Sequence, residues 1–282
     1  MATAAEAEAL TLLSRGEIEV QGRLVGASNA TLYCGVALDG VEQACVYKPV
    51  AGERQLWDFP DGTLAGREVA AFHVSRASGW RIVPPTVYRD GPFGPGSVQL
   101  WIDQEDQDLG AGVVDIVPRG GVPTGWLRVL DAHDGSGEPV SLVHADDPSL
   151  ARMAAFDVVI NNADRKGGHV LADGSGGLYG VDHGLTFNVD EKLRTVLWGW
   201  AGGPLAEEVG EVVGGLAHDL AAWCEHRART SDGGAGSWVD ELADLIDADE
   251  IAATARRARV LARRGHYPHQ VDGWPAIPWP PF

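Results

Sequence analysis

Asn162-Ala163-Asp164-Arg165 and Val181-Asp182-His183-Gly184 stand before and after two short apolar runs, His169-Val170-Leu171 and Leu178-Tyr179-Gly180-Val181. Asp173-Gly174 between the runs is a turn signal, because both residue types tolerate a positive φ. Antiparallel pairing of the runs would bring Asp164 and Asp182 to the same open end of a hairpin. Two carboxylates converging there suit a divalent cation and an acceptor hydroxyl, one ligating the metal and the other positioning the nucleophile. The competing role for either acid is a turn residue that satisfies nearby main-chain N–H groups.

Upstream, Asp147-Pro148 opens a helix, with an acid at the N-cap and proline at the first helical position, and Leu150 to Ile160 carry it to Asn161. Asp103 to Asp108 is acidic and polar, a connection between lobes, and a turn-rich stretch is expected from there to Asp147. Nearer the start, Glu19–Val25, Ala30–Leu38 and Gln43–Lys48 read as strands, with Asp39-Gly40 a hairpin turn. A helix follows from Thr63, its cap, to Ser78, stopped by Gly79, and two strands lie around Thr86 to Tyr88 and Ser97 to Ile102. Beyond Leu205 the chain reads as three helices and a Trp- and Pro-rich strap. The expected fold is α+β and two-lobed: a small β-rich lobe with one helix over residues 1–102, and a larger, mainly helical lobe over 103–282.

The 282 residues carry a net charge of −18, which opposes binding to nucleic acid and to anionic membranes. Arg256, Arg257, Arg259, Arg263 and Arg264 alternate with apolar residues and read as a solvated helix face. No run approaches the roughly 20 apolar residues of a membrane span, Met1 to Leu13 lacks the pattern of a signal peptide, and three scattered cysteines make no disulfide framework. A cytoplasmic setting is expected. Lysine is rare: Lys48, Lys166 and Lys192 stand against nineteen arginines, so a lysine that remains is a candidate for work that arginine cannot do. Lys48 ends a strand, and Glu68 sits in the following helix. Paired, they would hold an ammonium against nucleotide phosphates; alone, Lys48 would be an exposed strand-end residue.

With these pieces in order, the chain resembles phosphatidylinositol 3-/4-kinase-like enzymes, nearest the type II phosphatidylinositol 4-kinases, in a bacterial branch. The resemblance rests on Phe156 to Arg165, on Tyr179-Gly180-Val181-Asp182-His183-Gly184-Leu185-Thr186-Phe187, on Arg67 to Phe72 and on Val83-Pro84-Pro85-Thr86. It implies a two-lobed protein-kinase-like fold with ATP and Mg²⁺ as cofactors. By position, Asp164 would orient or deprotonate the acceptor hydroxyl, Asp182 would ligate the metal, and Lys48 and Glu68 would be the strand lysine and helix glutamate. Gln99, Leu100, Trp101 and Ile102 fall where that family meets adenine through main-chain groups, and Ser28 and Asn29 fall in its phosphate turn.

Two positions depart from the pattern. His169 replaces the asparagine expected as second metal ligand, and a softer imidazole favours Mn²⁺ over Mg²⁺. The turn Gly26-Ala27-Ser28-Asn29-Ala30-Thr31 is not glycine-rich, so phosphate would be met by N–H and hydroxyl groups. The expected activity is transfer of the ATP γ-phosphate to a hydroxyl of a protein or small-molecule acceptor, without stable membrane association. The alternatives are a nucleotide-binding pseudokinase, a true phosphatidylinositol kinase, or a metal-dependent hydrolase built on Asp164, His169 and Asp182. His144, His183 and His218 lack metal-ligand spacing. Trp198 and Trp200 read as core or as the floor of a substrate groove, and Arg194 as a phosphate or substrate contact.

Overall fold

A computed structural model of the chain describes residues 3–24, 29–60, 62–104, 112–229, 237–270 and 275–282. The fold is α+β and two-lobed, with one lobe built on an antiparallel sheet and the other mainly helical. Helix α1 (Ala4–Arg15), not anticipated from the sequence, packs on the small-lobe sheet. That sheet holds β1 (Glu17–Arg23), β2 (Leu32–Leu38), β3 (Val41–Pro49), β4 (Thr86–Gly91) and β5 (Gly94–Leu100), all antiparallel, in the order β1-β2-β3-β5-β4. Asp39 and Gly40 both take positive φ, 50° and 81°, as a right-twisted two-residue hairpin requires. Leu12, Leu13, Cys34, Val36, Cys45, Tyr47 and Val98 form this lobe's own small core.

Helix α2 (Leu64–Ser78) belongs by sequence to the small lobe, but its apolar residues do not join that core. Ala70, Phe72 and Val74 pack instead with the large-lobe cluster around Met153, Phe156 and Leu216. Gly79 ends the helix with φ 72°, as expected. The start differs from expectation: the Thr63 hydroxyl caps no main-chain N–H of the helix, donating to the Pro60 carbonyl (2.8 Å) and accepting from Arg67 Nε (3.2 Å). The Glu53 carboxylate caps α2 instead, accepting from the N–H groups of Leu64 (3.1 Å) and Ala65 (2.8 Å). An anion there satisfies orphan donors and the positive end of the helix dipole together.

The stretch expected to be turn-rich up to Asp147 contains a second antiparallel sheet. Strands β6 (Val114–Pro118), β7 (Trp126–His133) and β8 (Pro139–Ala145) pair in the order β6-β8-β7. Charged residues on β7 and turns at Gly120, Gly125 and Gly137, all with positive φ, hide the strand pattern in the sequence. Helix α3 (Pro148–Ile160) follows, capped by Asp147, whose carboxylate accepts from Ser149 (2.7 Å) and Leu150 (3.2 Å). It stops at Asn161, which is left-handed (φ 54°, ψ 52°). Strands β9 (Val170–Ala172) and β10 (Leu178–Gly180) make the expected hairpin. Helices α4 (Glu207–Arg229), α5 (Trp238–Ala243) and α6 (Ala248–Arg264) complete the lobe. Of the α6 arginines, Arg256, Arg259, Arg263 and Arg264 are exposed, whereas Arg257 is buried and bonds the carbonyls of Val159 and Asn188. No helix among the described residues is long and apolar enough to cross a membrane.

Candidate active site

The site is assembled on a buried polar knot at the end of α3. Asp157 and Arg165, both without solvent exposure, are bridged at 2.9 and 3.0 Å. Asn162 donates to the same carboxylate at 2.9 Å. The other Arg165 nitrogen, Nη1, donates to the carbonyls of His169 and Val181, both at 3.1 Å, and Nη2 reaches His183 Nε2 at 2.6 Å. One guanidinium therefore ties the loop that follows Asp164 to the segment that carries Asp182. In the sequence Arg165 stands only as part of a motif. Its fixed fork of donors is what could have marked it as the clamp.

Above the knot, Lys48 at the end of β3 reaches two acids. Its Nζ bonds Glu68 Oε1 on α2 and lies 2.8 Å from Asp182 Oδ1. The second Glu68 oxygen accepts from the His183 N–H at 2.8 Å, so α2, β3 and the Asp182 segment are held together by one carboxylate. Asp182 itself takes φ 60°, a left-handed conformation uncommon for a residue with a Cβ and often found at functional sites. Asp164 faces the same space. Its main-chain N–H is held by Asn162 Oδ1 (3.0 Å), and its carboxylate lies 3.4 Å from Lys166 Nζ. Lysine rarity marks Lys166 as much as Lys48, and Lys166 is the signal in the sequence for this second cation.

The electrostatics follow from crowding charges in a partly dry cleft. Burial would lower the Lys48 pKa, but Asp182 and then Glu68 outweigh it and hold the ammonium above its ordinary value. The Lys48 ammonium in turn holds Asp182 well below the usual carboxylate range. Burial raises Glu68 and Asp164, outweighing Lys48 and Lys166 respectively.

His169 is pushed down to about 4 by burial, against the pull of Asp182. The imidazole is thus neutral near pH 7. Its Nδ1 lies 2.9 Å from the Asp164 carbonyl, which accepts only if the proton sits on Nδ1. The lone pair of Nε2 then faces Asp182 Oδ2 across 3.3 Å, with no proton between them. A neutral nitrogen and a carboxylate oxygen aimed at each other make a donor pair that fits a divalent cation. Among the described residues no cluster of three His, Cys, Asp or Glu side chains suited to a metal exists, so phosphate or water oxygens would complete the shell.

A cavity of about 480 Å³ runs from these groups to the segment 99–104. Leu24, Thr31 and Val46 form one wall, and Leu171 and Val181 the other. Of the expected hinge residues, Gln99 lies within β5 and its side chain donates to Thr86 Oγ1. The N–H of Leu100 is taken by the Pro85 carbonyl (2.9 Å) and that of Trp101 by the Ala44 carbonyl (3.0 Å). Among the described residues, the Ile102 N–H and C=O have no partner, which moves the open main-chain groups to the far end of the expected segment. A second cavity of about 170 Å³ adjoins the charged end, sharing Lys48, Asp164 and Asp182 with the first. Asn29 lines it and accepts from the Arg54 N–H (2.8 Å), while Ser28 lies outside the described residues.

Arg194 donates to the Ala163 carbonyl (2.8 Å). Trp198 is buried and donates to Ala276, and Trp200 donates to Asp146. A larger cavity of about 530 Å³, between α6 and residues 266–270, is lined by Trp198 but by none of Lys48, Glu68, Asp164, His169 and Asp182.

The fold and cleft define a two-lobed α+β protein in which Lys48 and three carboxylates, Glu68, Asp164 and Asp182, come together at one cavity. The chain belongs to the family of Protein Rv2133c of Mycobacterium tuberculosis, with which it is 48% identical over 277 residues, 96% of this chain and 94% of that protein. No protein-family model matches it. The crystal structure of the Helicobacter pylori proinflammatory kinase CtkA is similar over 88% of this chain and 97% of that one, at 11% identity and a TM-score of 0.40. A likeness of that size bears on neither the site nor the activity.

Proposed function

We propose that the protein is an atypical kinase that transfers the γ-phosphate of ATP to a hydroxyl on a protein or small-molecule acceptor. One observation carries the reading: Lys48, Asp164, His169 and Asp182 converge at one end of a cavity of nucleotide size, with Glu68 bonded to Lys48 beside them. In this reading the lobes divide at residues 102 and 103, and adenine lies against Ile102. Lys48 meets the phosphates, held in place by Glu68. Asp164 orients the acceptor hydroxyl and takes its proton as the oxygen forms the new bond to phosphorus. The bond to the β,γ-bridging oxygen breaks and ADP leaves. The raised pKa of Asp164 suits a proton acceptor, and its link to Lys166 keeps a cation beside the reacting phosphoryl group. His169 and Asp182 would hold a divalent cation, which supplies charge neutralisation on the phosphates when bound.

The resemblance to phosphatidylinositol kinase-like enzymes supports the phosphoryl-transfer part of this reading. The lipid part is opposed by the net charge of −18, and co-sedimentation with anionic vesicles would overturn the preference for a non-lipid acceptor. Purified protein is expected to turn over ATP in the presence of Mn²⁺ or Mg²⁺. Turnover unchanged by Asp182→Ala would sink the assignment. A second reading, nucleotide binding without turnover, is favoured by the two-residue donor set and by the ion pair between Lys48 and Asp182, which occupies a metal ligand. Nucleotide-induced thermal stabilisation without release of labelled phosphate would select it.

A further inference from the structure

Three carboxylates, Glu68, Asp164 and Asp182, share the charged end of the cleft with two lysines, and both lysines are already engaged by those acids. A nucleotide triphosphate brings further negative charge to that end. The sequence between β1 and β2 holds one glycine, Gly26, where a glycine-rich phosphate loop holds several. The cation that offsets this charge has to come from elsewhere.

The segment that packs on this turn supplies one. Ala30 donates its N–H to the Gly52 carbonyl (3.1 Å), and a Cβ on Gly52 would lie 2.3 Å from that of Ala30, so the two strips of backbone are in direct contact. The next residue, Glu53, is fixed by capping α2, and Arg54 is fixed through its main-chain N–H on Asn29 Oδ1 (2.8 Å). Anchored on both sides, Arg54 is among the residues that line the second cavity with Lys48, Glu68, Asp164 and Asp182. It is exposed, and its guanidinium has no ion-pair partner among the described residues. A planar fork of donors free to grip a phosphate is what distinguishes arginine from lysine here.

We infer that Arg54 contacts the terminal phosphate of the bound nucleotide and sets a preference for triphosphate over diphosphate. The inference rests on the kinase reading. It assigns to one side chain the work that glycine-rich loops do with main-chain amides, and it makes the loop 52–54 part of the phosphate site. Because the Arg54 guanidinium holds no other part of the protein, removing it leaves folding intact, and a binding change reports on the ligand.

The test is isothermal titration of wild type, Arg54→Gln and Arg54→Lys with a non-hydrolysable ATP analogue and, separately, with ADP, both with Mn²⁺. Arg54→Gln is expected to weaken the analogue about tenfold while leaving ADP within about twofold, a lost charge-assisted contact being worth roughly that ratio. Arg54→Lys should recover part of the loss. An analogue-to-ADP ratio equal to that of wild type would overturn the assignment. Wild-type protein that binds neither nucleotide would instead remove the kinase reading, and Arg54's role with it.

Discussion

The Asp157–Arg165 pair and the Lys48–Asp182 pair differ in what surrounds them. Asp157 and Arg165 have no solvent exposure, and each remaining donor or acceptor is matched by Asn162, Thr195, His183 or the carbonyls of His169 and Val181. In the second pair, Lys48 is 19% and Asp182 51% exposed, and the free Asp182 oxygen faces a lone pair of His169. A saturated buried pair has nothing left to offer a ligand, and its removal leaves a charge without compensation. A half-open pair in a strained conformation is weakly bound to its own protein and available to something else. The first pair is a frame, and the second is the place where chemistry is expected.

Substitution should separate the two. Asp182→Ala is expected to reduce ATP turnover by on the order of a thousandfold, the scale of losing a charge-stabilising group in a site. The same change should shift folding stability by less than about 1 kcal/mol, since Lys48 keeps Glu68 and the lost pair is half solvated. Arg165→Met should do the reverse in emphasis, lowering stability by about 3–5 kcal/mol because Asp157 is stranded without its partner. Urea denaturation of both variants, read beside turnover, checks the pair of outcomes. Equal stability losses in the two would erase the distinction drawn here.

Much of this is legible in the sequence, for physical reasons. The Asp147-Pro148 start of α3, the turn at Asp39-Gly40 and the stop at Gly79 are local, and each residue type has few other uses, whereas the second hairpin takes its positive φ at Gly176 (85°) and not at Asp173-Gly174. Asp164, Asp182, Lys48 and Glu68 were legible as candidates because an ordered set of charges is hard to place otherwise. The frame beneath them was not. Arg165 works through main-chain carbonyls, which carry no residue identity, and Glu53 replaces Thr63 as a cap from across a loop. The second sheet was hidden because its strands are short, half-exposed and charged. Helix α2 reads as small-lobe by position, yet its apolar residues pack into the large-lobe core, a choice only tertiary packing makes.

His169 and His144 restate the same contrast in one residue type. Both are buried enough to lie below their ordinary pKa, His169 at about 4, and both place Nδ1 2.9 Å from a carbonyl. They differ at Nε2. In His144 that atom accepts the Gly199 N–H at 2.9 Å, whereas in His169 it faces a carboxylate. His169→Asn should therefore leave stability almost unchanged and alter metal selection. The ratio of Mn²⁺- to Mg²⁺-supported turnover is expected to fall by about tenfold, the lower end of what changes around a metal cost. An unchanged ratio would place Nε2 outside the metal's surroundings.

His144 should answer only to pH, and only through folding. Burial lowers its pKa, against weaker opposing effects of the Ala145 carbonyl and Asp146, and Trp200 stacks over the ring with centroids 4.3 Å apart. A proton on Nε2 would displace the Gly199 bond, so the folded state takes it up less readily than the unfolded chain. The sign follows: the unfolded state binds more protons below its ordinary value of about 6.5, and stability falls as pH drops through that point. The slope from one such group is at most about 1.4 kcal/mol per pH unit. Other titrating groups add their own slopes, so the quantity to measure is a difference: urea midpoints of wild type and His144→Gln at pH 5, 6, 7 and 8. The variant should be less stable at pH 8, and the gap should narrow towards pH 5, because only the wild type loses the His144 contribution on the way down. A gap that stays constant or widens at low pH would mean that His144 is protonated in the fold and that its Nε2 is not a filled acceptor, removing the contrast with His169.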